Sequence, residues 1–248
     1  MTRRYSFSGG YGGLGVPTWT PAVRALILVC VGAFIMQIID QLAGGPSFTN
    51  KFGLTPALVT GSFYLWQLVT YIFLHSPGNL LHILFNMLGL WMFGSELDRT
   101  WGTRQFTKFF FVCGVGAGLL MVLFSPNSQT TTIGASGAIY GILLAYAVLF
   151  PNRIIYFIVF PIPAKWFVAM LGALAFFSSL SSTGNGVAHI AHLGGMLCGF
   201  IYLKGGRIFP DLRWRYDRWR RNRLRRKFEV YYNERHREDQ ERHRRWRN

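Results

Sequence analysis

Five side chains in the apolar part of this 248-residue chain can do chemistry: His82, Asn86, Ser136, His189 and His192. His82 and Asn86 stand four apart, which puts them on one face of a helix. Ser136 lies within Gly134-Ala135-Ser136-Gly137, and His189 and His192 stand three apart. The chemistry this set suits is nucleophilic acyl transfer. A serine hydroxyl is a weak nucleophile until a base within hydrogen-bond reach takes its proton, and an imidazole can take that proton and return it to the leaving group. The tetrahedral intermediate then needs donors for its oxyanion. Asn86 and His82 can supply two, and the backbone amide of Ser136, at a helix N-terminus with its positive dipole end, a third. The carboxylates Asp40, Glu96 and Asp98 lie in or beside the first apolar segment and at the inner side of the second. The sequence therefore supports a Ser-His dyad with no acidic third member.

Two other readings stand beside this one. His189 and His192 with His82 resemble part of a zinc site, but hydrolytic zinc sites usually add a catalytic Glu, and Glu96 is the one Glu before the tail. Alternatively the polar side chains are interhelical glue with no chemistry, which fits His82, Asn86 and His189 singly better than all five together. No cofactor is implied.

The elements that must hold these groups follow from composition. The chain is 51% hydrophobic and 17% aromatic, with 26 basic against 10 acidic residues. From Arg207 to Asn248 there are 16 basic and 7 acidic residues, so the first 206 positions are almost uncharged. A body so poor in charge cannot be solvated as a water-soluble globule, which excludes an ordinary soluble enzyme. Crossing ~30 Å of hydrocarbon takes about 20 apolar residues. Six candidate segments meet or approach that length: Val23 to Ala43, Leu80 to Gly94, Phe106 to Phe124, Ala135 to Phe150, Ala164 to Leu180 and Val187 to Leu203. Backbone groups cannot stay unpaired in lipid, and the segments show no strand-like alternation, so the expected fold is an all-α polytopic bundle of six transmembrane helices. Cys30, Cys113 and Cys198 each fall inside a separate apolar run and read as small buried hydrophobes.

Positive charge orients the bundle. Arg3, Arg4, Arg24, Arg99, Arg104, Lys108, Arg153, Lys165 and the tail fall on one side, and Lys51 alone on the other. Both termini are therefore expected in the cytoplasm. Helices two, four and six then start on the outer side, and all five chemical side chains share one depth, about 3–10 Å below that surface by helix rise. Gly137 and Gly141, facing Ala191, Gly195 and Gly199, form small-residue faces that let helices four and six approach closely and bring Ser136 to a histidine. Phe63 to Leu74 is too apolar for a solvated loop and too short for a span. It is expected to lie in the membrane interface, with a buried extra-membrane core as the alternative.

These residues resemble the rhomboid intramembrane serine proteases over roughly Ala22 to Leu203. The likeness rests on Trp66-Gln67 with Thr70, Phe73 and His75; on His82-Ile83-Leu84-Phe85-Asn86; on Gly134-Ala135-Ser136-Gly137-Ala138-Ile139-Tyr140-Gly141; and on Ala191-His192-Leu193-Gly194-Gly195. The resemblance implies a six-helix core with a membrane-associated first loop and a water-filled cavity open to the outer side, cleaving transmembrane protein substrates near their outer ends. It implies that Ser136 is the nucleophile and His192 the general base, that His82 and Asn86 stabilise the oxyanion, and that Tyr140 packs on the catalytic imidazole beside the supporting Gly134 and Gly137. His189 matches no catalytic role and reads as a cavity or packing residue. Two departures stand out. Many relatives carry Arg where this chain has Gln67, and Glu96-Leu97-Asp98-Arg99-Thr100-Trp101-Gly102 matches the family's Glu-x-Arg-x-Gly run only loosely.

The expected organisation is a cytoplasmic segment 1–21, a membrane domain 22–204 and a basic cytoplasmic tail 205–248. Arg alternates in that tail with Trp214, Tyr216, Trp219, Phe228, Tyr231, Tyr232 and Trp246, a pattern suited to anionic headgroups or to a solvated helix held by charge pairs. No nucleic-acid motif accompanies its charge. The absence of a transit peptide and of added domains points to a bacterial plasma membrane. From a different functional class, a non-catalytic binder keeping the same fold, a chaperone or degradation adaptor, is the alternative.

Overall fold

The computed structural model describes residues 19–45, 47–157, 160–180 and 189–205. The N-terminal arginines and the basic tail lie outside the described residues. Contacts divide the chain into two units, Met1–Phe200 and Ile201–Asn248, and the candidate site described below lies in the first.

The described residues are mostly helical. In chain order they form α1 (Pro21–Leu42), α2 (Ser47–Phe52), α3 (Pro56–Ser62) and α4 (Gln67–Thr70), then a 3₁₀ turn Tyr71–Phe73. Next come α5 (Leu80–Gly89), a π turn Leu90–Gly94, α6 (Ser95–Trp101), α7 (Thr103–Phe124) and α8 (Ser136–Leu149). Strands β1 (Ile154–Phe157) and β2 (Phe160–Pro163) precede α9 (Ala164–Leu180), and residues 189–205 are helical. Three stretches, Pro21–Leu42, Leu80–Trp101 and Thr103–Phe124, are long and apolar enough to cross a membrane, and α8 and α9 are shorter apolar helices. On α1, Leu28, Val29, Ile35 and Ile39 point outward and exposed, while Val23, Leu26, Cys30 and Gln37 are buried. An exposed face more apolar than water tolerates is what a lipid solvent requires.

The chain between α1 and α5 folds into a platform. Leu54 and Thr132 exchange both backbone hydrogen bonds, at 2.9 and 2.8 Å, stitching this platform to the loop before α8. The segment 63–74 is neither wholly interfacial nor wholly buried: Phe63, Leu65 and Val69 are exposed, whereas Gln67, Tyr71, Ile72 and Leu74 are buried. A short helix followed by a 3₁₀ turn alternates its faces, so one side is exposed and the other packs inward. Gln67 performs the anchoring that its departure from Arg had put in question. Its amide oxygen accepts from Thr55 N at 3.0 Å, and its amide nitrogen donates to Asn50 O and Lys51 O at 3.4 and 3.3 Å. Trp66 Nε1 donates to Lys51 O and Thr70 Oγ1 to Phe52 O, so one turn of α4 covers the unpaired carbonyl end of α2.

Two expectations are corrected at the other end of the helices. The second span does not stop at Gly94 but runs through the π turn to Trp101, where Asp98 accepts from Ala22 N at the start of α1, 3.2 Å away. An acidic side chain at a helix N-terminus satisfies an orphan amide and complements the dipole. Between α8 and α9 the all-helical expectation fails: Ile154–Phe157 pairs antiparallel with Phe160–Pro163. β-branched and aromatic residues favour strands, and Pro161 and Pro163 exclude a helix interior there. Glu96 joins this hairpin to α6, pairing with Arg99 at 2.8 Å and Arg153 at 3.0 Å.

Candidate active site

Ser136 is the first residue of α8, and Ala135 precedes it as the N-cap. Gly134 adopts φ +128°, a left-handed value that favours glycine, and a Cβ there would stand 2.8 Å from His82 Nε2. The chain thus turns sharply into α8, and Ser136 emerges where the amides of the first turn are free of intrahelical partners.

Glycines bring the histidine-bearing helix to it. A Cβ on Gly195 would fall on the Gly137 carbonyl, and one on Gly141 would lie 2.9 Å from Gly195 O. With the backbones this close, His192 Nε2 comes within 2.8 Å of Ser136 Oγ. His192 Nδ1 is buried and has no hydrogen-bond partner among the described residues. For Nε2 to accept the serine proton, Nδ1 must carry the ring hydrogen. The Tyr140 ring lies parallel to the imidazole, with centroids 4.2 Å apart and planes at 2°. His189 meets the same imidazole edge-on, centroids 5.9 Å apart, and makes no contact with Ser136 in the hydrogen-bond pattern.

The two residues on α5 line the same cavity as Ser136 and His192. His82 Nδ1 accepts from Ser76 N at 3.4 Å, which leaves the hydrogen on Nε2, the nitrogen beside Gly134. Asn86 Nδ2 donates one hydrogen to His82 O and retains a second. The cavity has a volume of about 670 Å³, with its polar groups clustered around the dyad. Beyond them it is walled by Gly89, Met92 and Phe93 of the second span, Leu143 of α8, Ile155 of β1, and Phe167 and Leu171 of α9. Chemically the site can activate a hydroxyl, hold a developing oxyanion and accommodate an apolar chain beside it. Among the described residues no three His, Cys, Asp or Glu side chains group as a metal site.

Two contributors were not singled out from the sequence. Gln37, buried in α1, accepts from His75 N and donates to Thr49 Oγ1, both at 2.9 Å. An amide within a 22-residue apolar helix is a signal that could have found it. Tyr71, whose carbonyl accepts from Gly134 N at 2.9 Å, carries no such signal, because a tyrosine among aromatics looks like any interfacial residue. His75 sits beneath His82, ring centroids 5.2 Å apart. Burial, and secondarily the neighbouring His82, pushes its pKa down to about 4.

The rhomboid domain family matches residues 62–206. The chain is 35% identical over 127 residues to "Rhomboid protein 1, mitochondrial" of Saccharomyces cerevisiae, covering 49% of this chain and 36% of that protein. It is 33% identical to "RHOMBOID-like protein 1" of Arabidopsis thaliana, covering 69% of this chain and 43% of the relative. With "Rhomboid protease GluP" of Bacillus subtilis it shares 29% identity over 75% of its own length and 34% of that protein's. The chain thus spans between about a third and a half of the lengths of these three relatives.

Proposed function

The chain belongs to the rhomboid family and is an integral membrane protein, and on that premise we propose that it is an intramembrane serine endopeptidase. The observation that carries this reading is the 2.8 Å approach of His192 Nε2 to Ser136 Oγ, at one end of a cavity walled by apolar helices. Ser136 attacks a substrate carbonyl while His192 takes its proton, then returns it to the leaving amine. His82 Nε2–H, the second Asn86 amide hydrogen and the Ser136 backbone N–H receive the oxyanion. Water then hydrolyses the acyl-enzyme with His192 as base.

A transmembrane protein substrate enters laterally and unwinds near its outer end to reach Ser136. Helix-breaking Gly or Pro near the cut lowers the cost of that unwinding. The proposed frame is six transmembrane helices within 22–204, flanked by cytoplasmic segments 1–21 and 205–248, the latter basic tail contacting anionic lipid. Its relatives come from a bacterium, a plant and a mitochondrion, so the family extends beyond the bacterial plasma membrane expected from the sequence.

The test is labelling of the detergent-solubilised protein with a fluorescent fluorophosphonate, beside Ser136→Ala and His192→Ala variants, followed by cleavage of a transmembrane peptide in liposomes. Labelling and cleavage present in the wild type and lost in both variants support the protease. A folded wild type that neither labels nor cleaves, with a cellular effect surviving Ser136→Ala, establishes the non-catalytic binder instead.

A further inference from the structure

We infer that Tyr71, outside the proposed catalytic set, is a positioning residue for Ser136, a role that rests on the protease reading above. Tyr71 opens the 3₁₀ turn of the first loop and is almost fully buried, at 1% exposure. It is bonded at both ends. Its phenol hydroxyl donates to Gly114 O in α7 at 2.7 Å, and its carbonyl accepts from Gly134 N at 2.9 Å. One residue therefore links a membrane-spanning helix to the backbone two positions ahead of the nucleophile.

The surroundings are cut to fit this tyrosine. A Cβ on Gly118 would stand 3.2 Å from its ring, one on Gly137 would stand 3.7 Å from its hydroxyl, and one on Gly114 would press into the neighbouring Ile72 at 2.6 Å. The helix-interior carbonyl of Gly114 has a second lone pair to offer the hydroxyl. At the other end, Gly134 at φ +128° belongs to a residue with wide backbone freedom. Fixing its N–H sets the plane of the Ile133–Gly134 peptide, the fixed end from which the turn starts. That plane biases the direction in which the chain enters α8, and so the distance from Ser136 Oγ to His192 Nε2. Tyr71 does not touch the reacting atoms; it acts through the turn that carries them.

The experiment uses the full chain in detergent and in liposomes with the Tyr71→Phe variant, which keeps the ring and the carbonyl and deletes only the bond to Gly114. Four quantities are read: the rate constant of fluorophosphonate labelling, kcat and KM on a transmembrane peptide, and hydrogen exchange of the segment 132–136 by mass spectrometry. Since an ångström of misplacement can cost on the order of a hundredfold, a loosened pin is expected to slow labelling and kcat about tenfold. KM should stay within twofold, and amide exchange in 132–136 should quicken about tenfold. Wild-type labelling rate and kcat in the variant overturn the inference, as does a smaller labelled fraction at an unchanged rate constant, which reports unfolded protein. A folded wild type that neither labels nor cleaves overturns the protease reading instead. In that case the exchange measurement still decides the pin: quicker exchange sustains it, and unchanged exchange removes it.

Discussion

The Tyr140 ring and the His192 imidazole lie face to face, 4.2 Å between centroids and 2° between planes. In a dyad lacking a carboxylate, orientation of the base has to come from packing. His192 Nδ1 has no hydrogen-bond partner among the described residues, so the stacked Tyr140 ring, with His189 edge-on, is left to hold the imidazole plane. A stacked aromatic pair contributes about 1 kcal/mol beyond area burial. Tyr140→Phe, which keeps the ring, is expected to label with fluorophosphonate at near the wild-type rate. Tyr140→Ala is expected to label about tenfold more slowly while remaining folded, since a loosened base meets the serine less often.

Gly195 tests the helix approach that makes the dyad. A Cβ at this position collides with the Gly137 carbonyl, and backbone atoms cannot yield as a side-chain tip can. Gly195→Ala should therefore push the helical residues 189–200 away from α8 and lengthen the Ser136–His192 contact. Activity is expected to fall by about a hundredfold or more. Peptide cleavage in liposomes measures it. Gly61→Ala, where a Cβ meets nothing within 4 Å, serves as the control and should cleave normally.

Gln67 is fully buried and serves as acceptor for Thr55 N and donor to Asn50 O and Lys51 O. Gln67→Ala leaves the buried Thr55 amide without its acceptor and should cost about 2 kcal/mol. Gln67→Glu keeps the acceptor but sets a carboxylate against two carbonyls, and Gln67→Arg keeps donors but offers nothing to Thr55 N. Both are expected to be less stable than wild type, as read by thermal unfolding in detergent. An unfolding temperature unchanged in Gln67→Ala would remove the anchoring role.

His75 makes stability depend on pH. Its native pKa lies near 4, below the usual value of 6.5, because burial disfavours the charged imidazole. Between those values the unfolded chain binds a proton that the native chain does not. The sign is therefore fixed: the contribution is whole above pH 6.5 and is lost as pH falls towards 4, on the order of 3 kcal/mol over the window. His75→Phe keeps the backbone N–H that Gln37 accepts and removes the titrating ring. The difference between wild type and variant in unfolding temperature should change across pH 6.5 to 4 and be level above it.

The chemical groups were legible in the sequence because they stand out from their background. In an apolar body, His82, Asn86, Ser136 and His192 are costly unless used, and their spacing places them on helix faces at one depth. The small-residue faces that bring helices together are readable for the same reason: Gly137, Gly141 and Gly195 recur at a helical interval. The hairpin at 154–163 was not read as strands, since four-residue runs bounded by proline give too little alternation to tell a strand from a short helix.

By itself, then, the sequence singled out the candidate site residues, the apolar segments that carry them and the family they resemble, since residue type, local periodicity and charge placement are all properties of neighbours along the chain. The resemblance pointed to His192, and the tertiary structure supplies the geometry, with His192 Nε2 2.8 Å from Ser136 Oγ and His189 edge-on against the same imidazole. The tertiary structure alone decided what Gln67 does in place of arginine, and that the Tyr71 carbonyl accepts from Gly134 N, two positions before Ser136. Each of those is a hydrogen bond or contact between segments distant along the chain, to Gly134 from Tyr71 or to Ser136 from His192. Such pairings arise when close-packed helices bring particular backbone atoms together, and no local pattern in the residues records that geometry.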